Sequence, residues 1–128
     1  WERRRAIWSQ YDEAFAGLPA ILPAPPASDT RHGLHLYTLL LQLEELRISR
    51  DEFIAELTQQ KIGVGVHYLP IHTHPFYQAI LRFRLKDFPN ASWIGERTVS
   101  LPLSPSVSDR DVADVIEVVT ATLTRYRR

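Results

Sequence analysis

Residues 62–74 read IGVGVHYLPIHTH, and the rest of the chain is interpreted around this stretch. Apolar residues recur at every second position, which predicts a short strand over residues 62–68 because strand side chains alternate between two faces. One face carries aliphatic side chains, and the other carries Gly63, Gly65 and His67. Two glycines leave that face without side-chain bulk, so a ligand or another backbone segment can approach it closely.

A polar cluster lies at the end of the predicted strand and consists of His67, Tyr68, His72 and His74. Three imidazoles can bind zinc with an open coordination position, but no carboxylate lies near them in the sequence to support such a site. The chain has no Gly-x-Ser-x-Gly motif, no dinucleotide-binding glycine pattern and no P-loop. The residue chemistry alone therefore indicates a histidine and tyrosine cluster beside a flat glycine face, and no metal site is predicted.

The composition is that of an ordinary domain with one hydrophobic core, because the chain has 128 residues, of which 45% are hydrophobic and 23% charged. Fifteen basic and fifteen acidic residues cancel, which gives no reason to expect nucleic acid or an acidic membrane surface as partner. No apolar run reaches the roughly 18 residues of a membrane-spanning helix. The absence of cysteine excludes disulfides, and the absence of methionine predicts a processed chain or part of a longer protein.

Hydrophobic periodicity and capping motifs predict the elements on either side of this stretch. A Ser-Arg-Asp-Glu capping box at residues 49–52 predicts the start of a helix. The proline-rich connector at residues 18–29 is expected to be extended rather than folded. The predicted order is a helix at 1–17, strand 33–43, helix 49–60, strand 62–68, short helices 75–81 and 91–97, strand 98–103 and a helix from 108. This order predicts an α+β fold with a small sheet of about three strands packed against helices.

The strand predicted at residues 33–43 is expected to be buried on both faces, because its apolar residues are almost continuous. His35 and Tyr37 would then share one face. They either belong to a ligand site or form an aromatic strand edge packed against a helix, and the residues alone leave both interpretations open.

Several short motifs follow one another along the chain: HLY at 35–37, RDEF at 50–53, GVGVHYLPIH at 63–72, HPFY at 74–77, FPNA at 88–91, ER at 96–97 and SLPLSP at 100–105. In this order and spacing the series resembles the DegT/StrS family of pyridoxal-phosphate-dependent nucleotide-sugar aminotransferases. The resemblance is to the C-terminal small domain of that family. Residues 1–18 are similar to a helix that leads in from a large domain, and residues 19–128 to the small α+β domain itself.

The resemblance implies the small domain of a fold-type I aminotransferase that acts on a nucleotide-linked keto-sugar in amino-sugar biosynthesis. It also implies a cytoplasmic homodimer with pyridoxal phosphate as cofactor and glutamate as amino donor. The family's Schiff-base lysine and most cofactor contacts lie in the large domain, and neither Lys61 nor Lys86 matches the lysine motif. This chain alone is therefore expected to bind no cofactor and to be inactive.

The resemblance places part of the substrate site on this chain. Family residues that match His67 and Tyr68 contact the sugar, and His72 and His35 are further candidates. No catalytic, cofactor-binding or metal-binding residue is expected within these 128 residues.

Two other functions stay open. Some relatives carry histidine in place of the Schiff-base lysine and act as sugar dehydratases, and that position lies outside this chain. A stand-alone interaction domain would instead use exposed apolar faces to bind a partner. In the two-domain arrangement, the lead-in helix is expected to expose apolar side chains toward the large domain, with Trp1, Trp8 and Phe15 as candidates.

Overall fold

A computed structural model describes residues 1–128 as five α-helices and a three-stranded antiparallel sheet. The helices are α1 (Glu2–Phe15), α2 (Arg50–Gln59), α3 (Pro75–Leu81), α4 (Pro89–Gly95) and α5 (Asp109–Arg125). The strands are β1 (Ala20–Ile21), β2 (Tyr37–Leu41) and β3 (Thr98–Leu101), and 3₁₀ turns lie at Leu43–Glu45, Ile71–Thr73 and Leu85–Asp87. The predicted α+β class with a sheet of three strands is confirmed, although the strands are not all where they were expected.

The stretch at residues 62–68, predicted to be a strand of the sheet, makes only a single bridge to it. Gly65 and Ser100 exchange backbone hydrogen bonds of 3.0 and 2.8 Å, and no further ladder forms. The next pairing position beside Gly63 is Pro102, which has no amide hydrogen to donate. The stretch therefore runs antiparallel to β3 without becoming a regular strand.

The third strand comes instead from the proline-rich connector, which was expected to be an extended segment and not part of the folded unit. Ala20 and Ile21 pair antiparallel with Leu41 and Leu40 at the edge of the sheet. Prolines flank this dipeptide without interrupting it, and a strand at the edge needs to pair on one side only. The Ala20 amide itself donates to the Leu18 carbonyl oxygen at 2.7 Å.

Strand β2 lies in the centre of the sheet and is shorter than the predicted span of residues 33–43. Leu34 has a positive φ of 46°, which interrupts the extended backbone before the strand begins. Burial along β2 alternates instead of being complete on both faces. Tyr37 is fully buried whereas His35 is exposed, so the prediction that these two side chains share one face is wrong.

Helix α1 packs into the same hydrophobic core as the sheet. Its buried side chains are Ile7, Trp8, Tyr11 and Phe15. The Tyr11 hydroxyl donates to the Pro102 carbonyl oxygen at 2.9 Å, and burial raises the pKa of Tyr11 to about 12. The expectation that Trp8 and Phe15 would be exposed is therefore wrong. Of the three candidates only Trp1 is exposed, at 43%.

Helix α1 also packs along α5 and so joins the first helix to the last. The Arg3 guanidinium donates to the Asp109 carboxylate and to the Val107 carbonyl oxygen, both at 2.6 Å. The apolar side of α5 contributes Val112, Val115, Val119 and Leu123 to the core. Both ends of the described chain therefore belong to one packed unit.

The capping box predicted at residues 49–52 is confirmed. The Ser49 amide donates to the Glu52 carboxylate at 2.7 Å, and the Glu52 amide donates to the Ser49 hydroxyl at 3.3 Å. The Ser49 hydroxyl also donates to the Glu52 carboxylate, at 2.8 Å, and the bonds that the Ser49 amide and hydroxyl donate to this carboxylate lower the pKa of Glu52. Ser108 and Asp111 begin α5 in the same way. None of the helices has the length and apolar character that crossing a membrane requires.

Candidate functional site

His67 and Tyr68 stand next to each other just after the bridge to β3. Their ring centroids are 4.8 Å apart with an interplanar angle of 85°, and the peptide bond that joins them is cis. Tyr68 is 76% exposed, whereas His67 is partly buried and its Nδ1 atom has neither solvent contact nor a hydrogen-bond partner. A phenol and an imidazole can both donate and accept hydrogen bonds, so the pair offers polar groups to a hydroxylated ligand.

The space above Gly65 is taken by the His67 ring. A Cβ atom at Gly65 would lie 2.8 Å from His67 Cε1, whereas a Cβ atom at Gly63 would meet nothing within 4 Å. The predicted glycine face is therefore open only at Gly63. At Gly65 the missing side chain makes room for the imidazole, and this glycine sets where the ring can lie.

The other two predicted substrate residues lie in different settings. His72 is 4% exposed, and its Nε2 is 2.8 Å from the Ser92 hydroxyl. That hydroxyl donates its single proton to the Leu85 carbonyl oxygen at 3.0 Å, so it accepts from His72 Nε2–H. This bond ties the Ile71–Thr73 turn to α4.

His35 lies away from the His67 end of the sheet. Thr38 of β2 and Gly65 both pair with Ser100, and the two segments run in the same direction. His35 lies three residues before Thr38, whereas His67 lies two residues after Gly65, so the two histidines lie on opposite sides of Ser100 along the strand direction. The structure thus brings His67 and Tyr68 together and places His35 away from them, whereas His72 is buried against α4. No three metal-ligating side chains lie close enough together to hold an ion.

Two residues that support this loop were not singled out from the sequence. The ring of Pro70 packs so closely on Gly95 that a Cβ atom there would lie well under 3.0 Å from it. Ser92, one turn earlier on α4, holds His72. The sequence shows Gly95 near the end of a predicted short helix. Sequence spacing alone does not reveal its contact with Pro70, which lies 25 positions earlier.

The chain's lysines do not fit a phosphorylated cofactor. Lys61 lines a cavity of about 540 Å³ together with Asp111, Asp114 and Glu117, whose negative charges oppose a phosphate group. Lys86 is exposed in the Leu85–Asp87 turn. Neither lysine has a setting suited to forming a Schiff base with pyridoxal phosphate.

Most exposed large apolar side chains belong to one part of the chain, residues 68–94, which we call the apolar segment. Of thirteen such side chains in the protein, eleven lie here. They are Tyr68, Leu69, Ile71, Phe76, Tyr77, Ile80, Leu81, Leu85, Phe88, Trp93 and Ile94. Helix α3 has no buried residue at all. Exposed apolar area of this kind is typical of surfaces that bind another protein, a membrane or a ligand.

Replacing Gly65 by alanine is expected to displace the His67 ring while changing the free energy of unfolding by less than about 1 kcal/mol, because the clash is with the end of a rotatable side chain. The ring's NMR signals should shift, and denaturant unfolding should be nearly unchanged. Gly63→Ala is the matched control, since its Cβ meets open space. Unshifted His67 signals in the Gly65 variant would contradict this account.

Comparison with known proteins gives one consistent result. The sequence model of the DegT/DnrJ/EryC1/StrS aminotransferase family matches residues 1–120. The spore coat polysaccharide biosynthesis protein SpsC of Bacillus subtilis is 42% identical over 119 residues, which cover 92% of this chain.

Solved structures agree with the sequence comparison. The putative sugar aminotransferase Spr1654 from Streptococcus pneumoniae, known in forms with pyridoxal and pyridoxamine phosphate, superposes with a TM-score of 0.86 at 29% identity over 97% of this chain. DesV from S. venezuelae superposes with a TM-score of 0.81 at 30% identity over 95% of it. The chain spans 31% of the length of each of these three proteins.

Proposed function

Because the chain belongs to the DegT/DnrJ/EryC1/StrS aminotransferase family, we propose that it is the C-terminal small domain of an enzyme that transfers an amino group to a nucleotide-linked keto-sugar. In this proposal residues 1–18 lead in from a large domain and residues 19–128 form the small domain. The enzyme is a cytoplasmic homodimer that takes its amino group from glutamate. Likeness to sugar aminotransferases and to a polysaccharide biosynthesis protein supports the proposal.

The observation that carries the proposal is the paired arrangement of His67 and Tyr68. Tyr68 presents its phenol to solvent, and Nδ1 of His67 has no partner within the chain. A sugar hydroxyl can bond the exposed Tyr68 phenol directly, whereas the His67 ring must turn outward before its Nδ1 can bond one, because that atom has no solvent contact. The role of this pair is to orient the sugar. Pyridoxal phosphate supplies the amino-group chemistry when it is bound in the large domain.

His72 and His35 take indirect roles in this proposal. His72 fixes the loop after Tyr68 through its bond to Ser92, so it positions the pair without touching substrate. His35 is exposed beside the start of β2 and would meet substrate only if another part of the enzyme brought substrate there.

The apolar segment supports the two-domain arrangement, because it offers a large unpaired surface next to the candidate site. The 128-residue chain alone is expected to self-associate and to bind an apolar dye through this surface. Introducing aspartate at Phe76 and Ile80 together should abolish both effects without unfolding the chain, since α3 buries no residue. Sedimentation velocity and dye fluorescence would measure this.

The matched control for that experiment places aspartate at Ala113 and Ala121, two exposed positions on α5. These changes add the same charge away from the apolar segment and should leave self-association unchanged. A wild-type chain that sediments as a monomer and binds no dye would contradict the expectation.

The direct test uses the family-length protein that contains this chain. The purified protein is incubated with glutamate and a panel of nucleotide-linked keto-sugars, and the corresponding free keto-sugars serve as controls. Amino-sugar formation with 2-oxoglutarate release supports the proposal. Loss of a sugar hydroxyl without amino transfer would instead assign the enzyme to the dehydratases. Absence of both reactions, combined with tight capture of a protein partner, would favour a stand-alone interaction domain, for which the apolar segment is the supporting feature.

A further inference from the structure

A cavity of about 380 Å³ lies between the first turns of α1 and the residues that lead into β2. Its apolar walls are formed by Trp1, Trp8, Pro25, Pro26 and Leu34. Trp8 and Leu34 belong to the buried core, so this part of the wall is held in place. The volume is within the range of small-molecule sites, which are concave, largely apolar and mostly formed before the ligand binds.

Hydrogen bonds fix the aromatic groups of this cavity relative to one another. Trp1 Nε1–H donates to the His32 carbonyl oxygen at 2.7 Å, and the Leu34 amide donates to His32 Nδ1 at 3.0 Å. The His32 ring packs edge-on against Trp8, with ring centroids 5.4 Å apart. Because Nδ1 accepts, the neutral His32 ring carries its proton on Nε2, which is a further donor.

The cavity also carries two guanidinium groups that have no anionic partner in the chain. Arg5 and Arg31 both line it and are exposed, and neither takes part in an ion pair. Arg3, two residues earlier on α1, is bonded to Asp109 instead. The guanidinium carbons of Arg5 and Arg31 lie 5.3 and 4.4 Å from the centre of the Trp1 ring. A guanidinium stacked on an aromatic face keeps the N–H groups at its edge free for an anion.

One carboxylate, that of Asp12, is also part of the lining. It accepts from the Tyr37 hydroxyl at 2.8 Å, and it pairs with neither guanidinium. Two positive charges against one negative charge leave the cavity positive, so it attracts an anion rather than a cation.

We propose that this cavity binds a small aromatic anion, a compound with a planar ring and a carboxylate or phosphate group. The ring would lie against the wall at Trp8 and Leu34, where it is removed from water. The anionic oxygens would accept from Arg5 and Arg31 in charge-assisted hydrogen bonds. The proposal does not depend on the proposed function, because its test measures binding to this cavity without any turnover.

The test titrates the 128-residue chain with phenyl phosphate and, separately, with benzoate at constant ionic strength. The α-amino group is acetylated beforehand, so that its charge cannot attract the probe. The indole N–H NMR signals of Trp1 and Trp8 are expected to shift and saturate, whereas that of Trp93, in α4, should stay unchanged. Inorganic phosphate and phenol, which each supply only one part of the ligand, should bind at least about tenfold more weakly. Tighter binding of phenyl phosphate or of benzoate identifies which anionic group the site takes.

Arg31→Gln and Arg5→Gln should each weaken the affinity for the better probe about tenfold, the usual effect of losing a charge-assisted contact. Arg31→Lys, which keeps the charge but loses the planar fork, should fall between Arg31→Gln and the wild type. Arg110→Gln is the matched control, because it removes the same charge from an exposed position on α5 and should leave binding unchanged.

Three results would overturn the proposal. The first is undiminished binding in both Arg5→Gln and Arg31→Gln. The second is a shift of the Trp93 signal equal to those of Trp1 and Trp8, which would mean that the probe adheres to exposed apolar surface in general. The third is binding of inorganic phosphate as tight as that of phenyl phosphate, because the apolar walls would then take no part. Since Arg5 and Arg31 are exposed and on different segments, failure of one variant to fold leaves the other to decide.

Discussion

The His67→Ala variant of the family-length enzyme is expected to lose about one to three orders of magnitude in kcat/KM, the scale of a lost positioning contact. Its thermal midpoint should hardly change. Nδ1 of His67 has no partner in the chain, so truncation breaks no internal hydrogen bond there. The segment stays attached through the bridge between Gly65 and Ser100. Steady-state kinetics and a thermal melt on the same preparation measure both quantities.

His74→Ala is a suitable control for this prediction, because it removes an exposed imidazole from the same loop. It should leave both turnover and midpoint near wild type. Cofactor absorbance should be the same in all three proteins, since His67 contributes to substrate orientation only. Normal kinetics with a lowered midpoint in His67→Ala would mean that the histidine only stabilises the loop, and the substrate-site assignment would be withdrawn.

The Gly95→Ala variant is expected to lose about 1–3 kcal/mol of unfolding free energy, the usual cost of overpacking a filled site. The new Cβ would collide with the Pro70 ring, which is rigid and cannot rotate away. The sign of the effect is informative, because alanine in a helix is ordinarily more favourable than glycine by about 1 kcal/mol. Because Pro70 follows Tyr68 by two residues, the variant should also disturb the candidate substrate loop and lower kcat/KM.

Gly33→Ala provides the comparison for Gly95→Ala. Gly33 has no atom within 4 Å of its would-be Cβ, so alanine there should be neutral or stabilise by up to about 1 kcal/mol. Denaturant unfolding of both variants gives the two free energies with one method. A Gly95→Ala chain as stable as the wild type would show that the Pro70–Gly95 contact can relax, and the support assigned to Gly95 would be rejected.

The elements that were predicted correctly from the sequence depend on local signals. The capping boxes of α2 and α5 specify where each helix begins, because all their hydrogen bonds lie within four residues. The period of the apolar residues in α5 likewise identifies its buried side. Such signals are contained within one element and do not need the rest of the fold.

The elements that were predicted incorrectly depend on partners distant in the chain. Ala20 and Ile21 become a strand only because β2 offers an open edge, and residues 62–68 fail to become one because Pro102 occupies the opposite position. The same holds for the site. His67 and Tyr68 could be selected from a local motif, whereas the roles of Ser92 and Gly95 depend on contacts with His72 and Pro70 across the fold.

The packing of α1 against α5 has a consequence for the order in which this region folds. Core side chains come from both the first and the last helix, so neither end can complete its packing before the other is present. During synthesis, Ile7, Tyr11 and Phe15 remain without part of their apolar surroundings until α5 has left the ribosome. The region is therefore expected to fold as one cooperative unit late in translation, slowed by the closure of a loop of about 100 residues between the two helices.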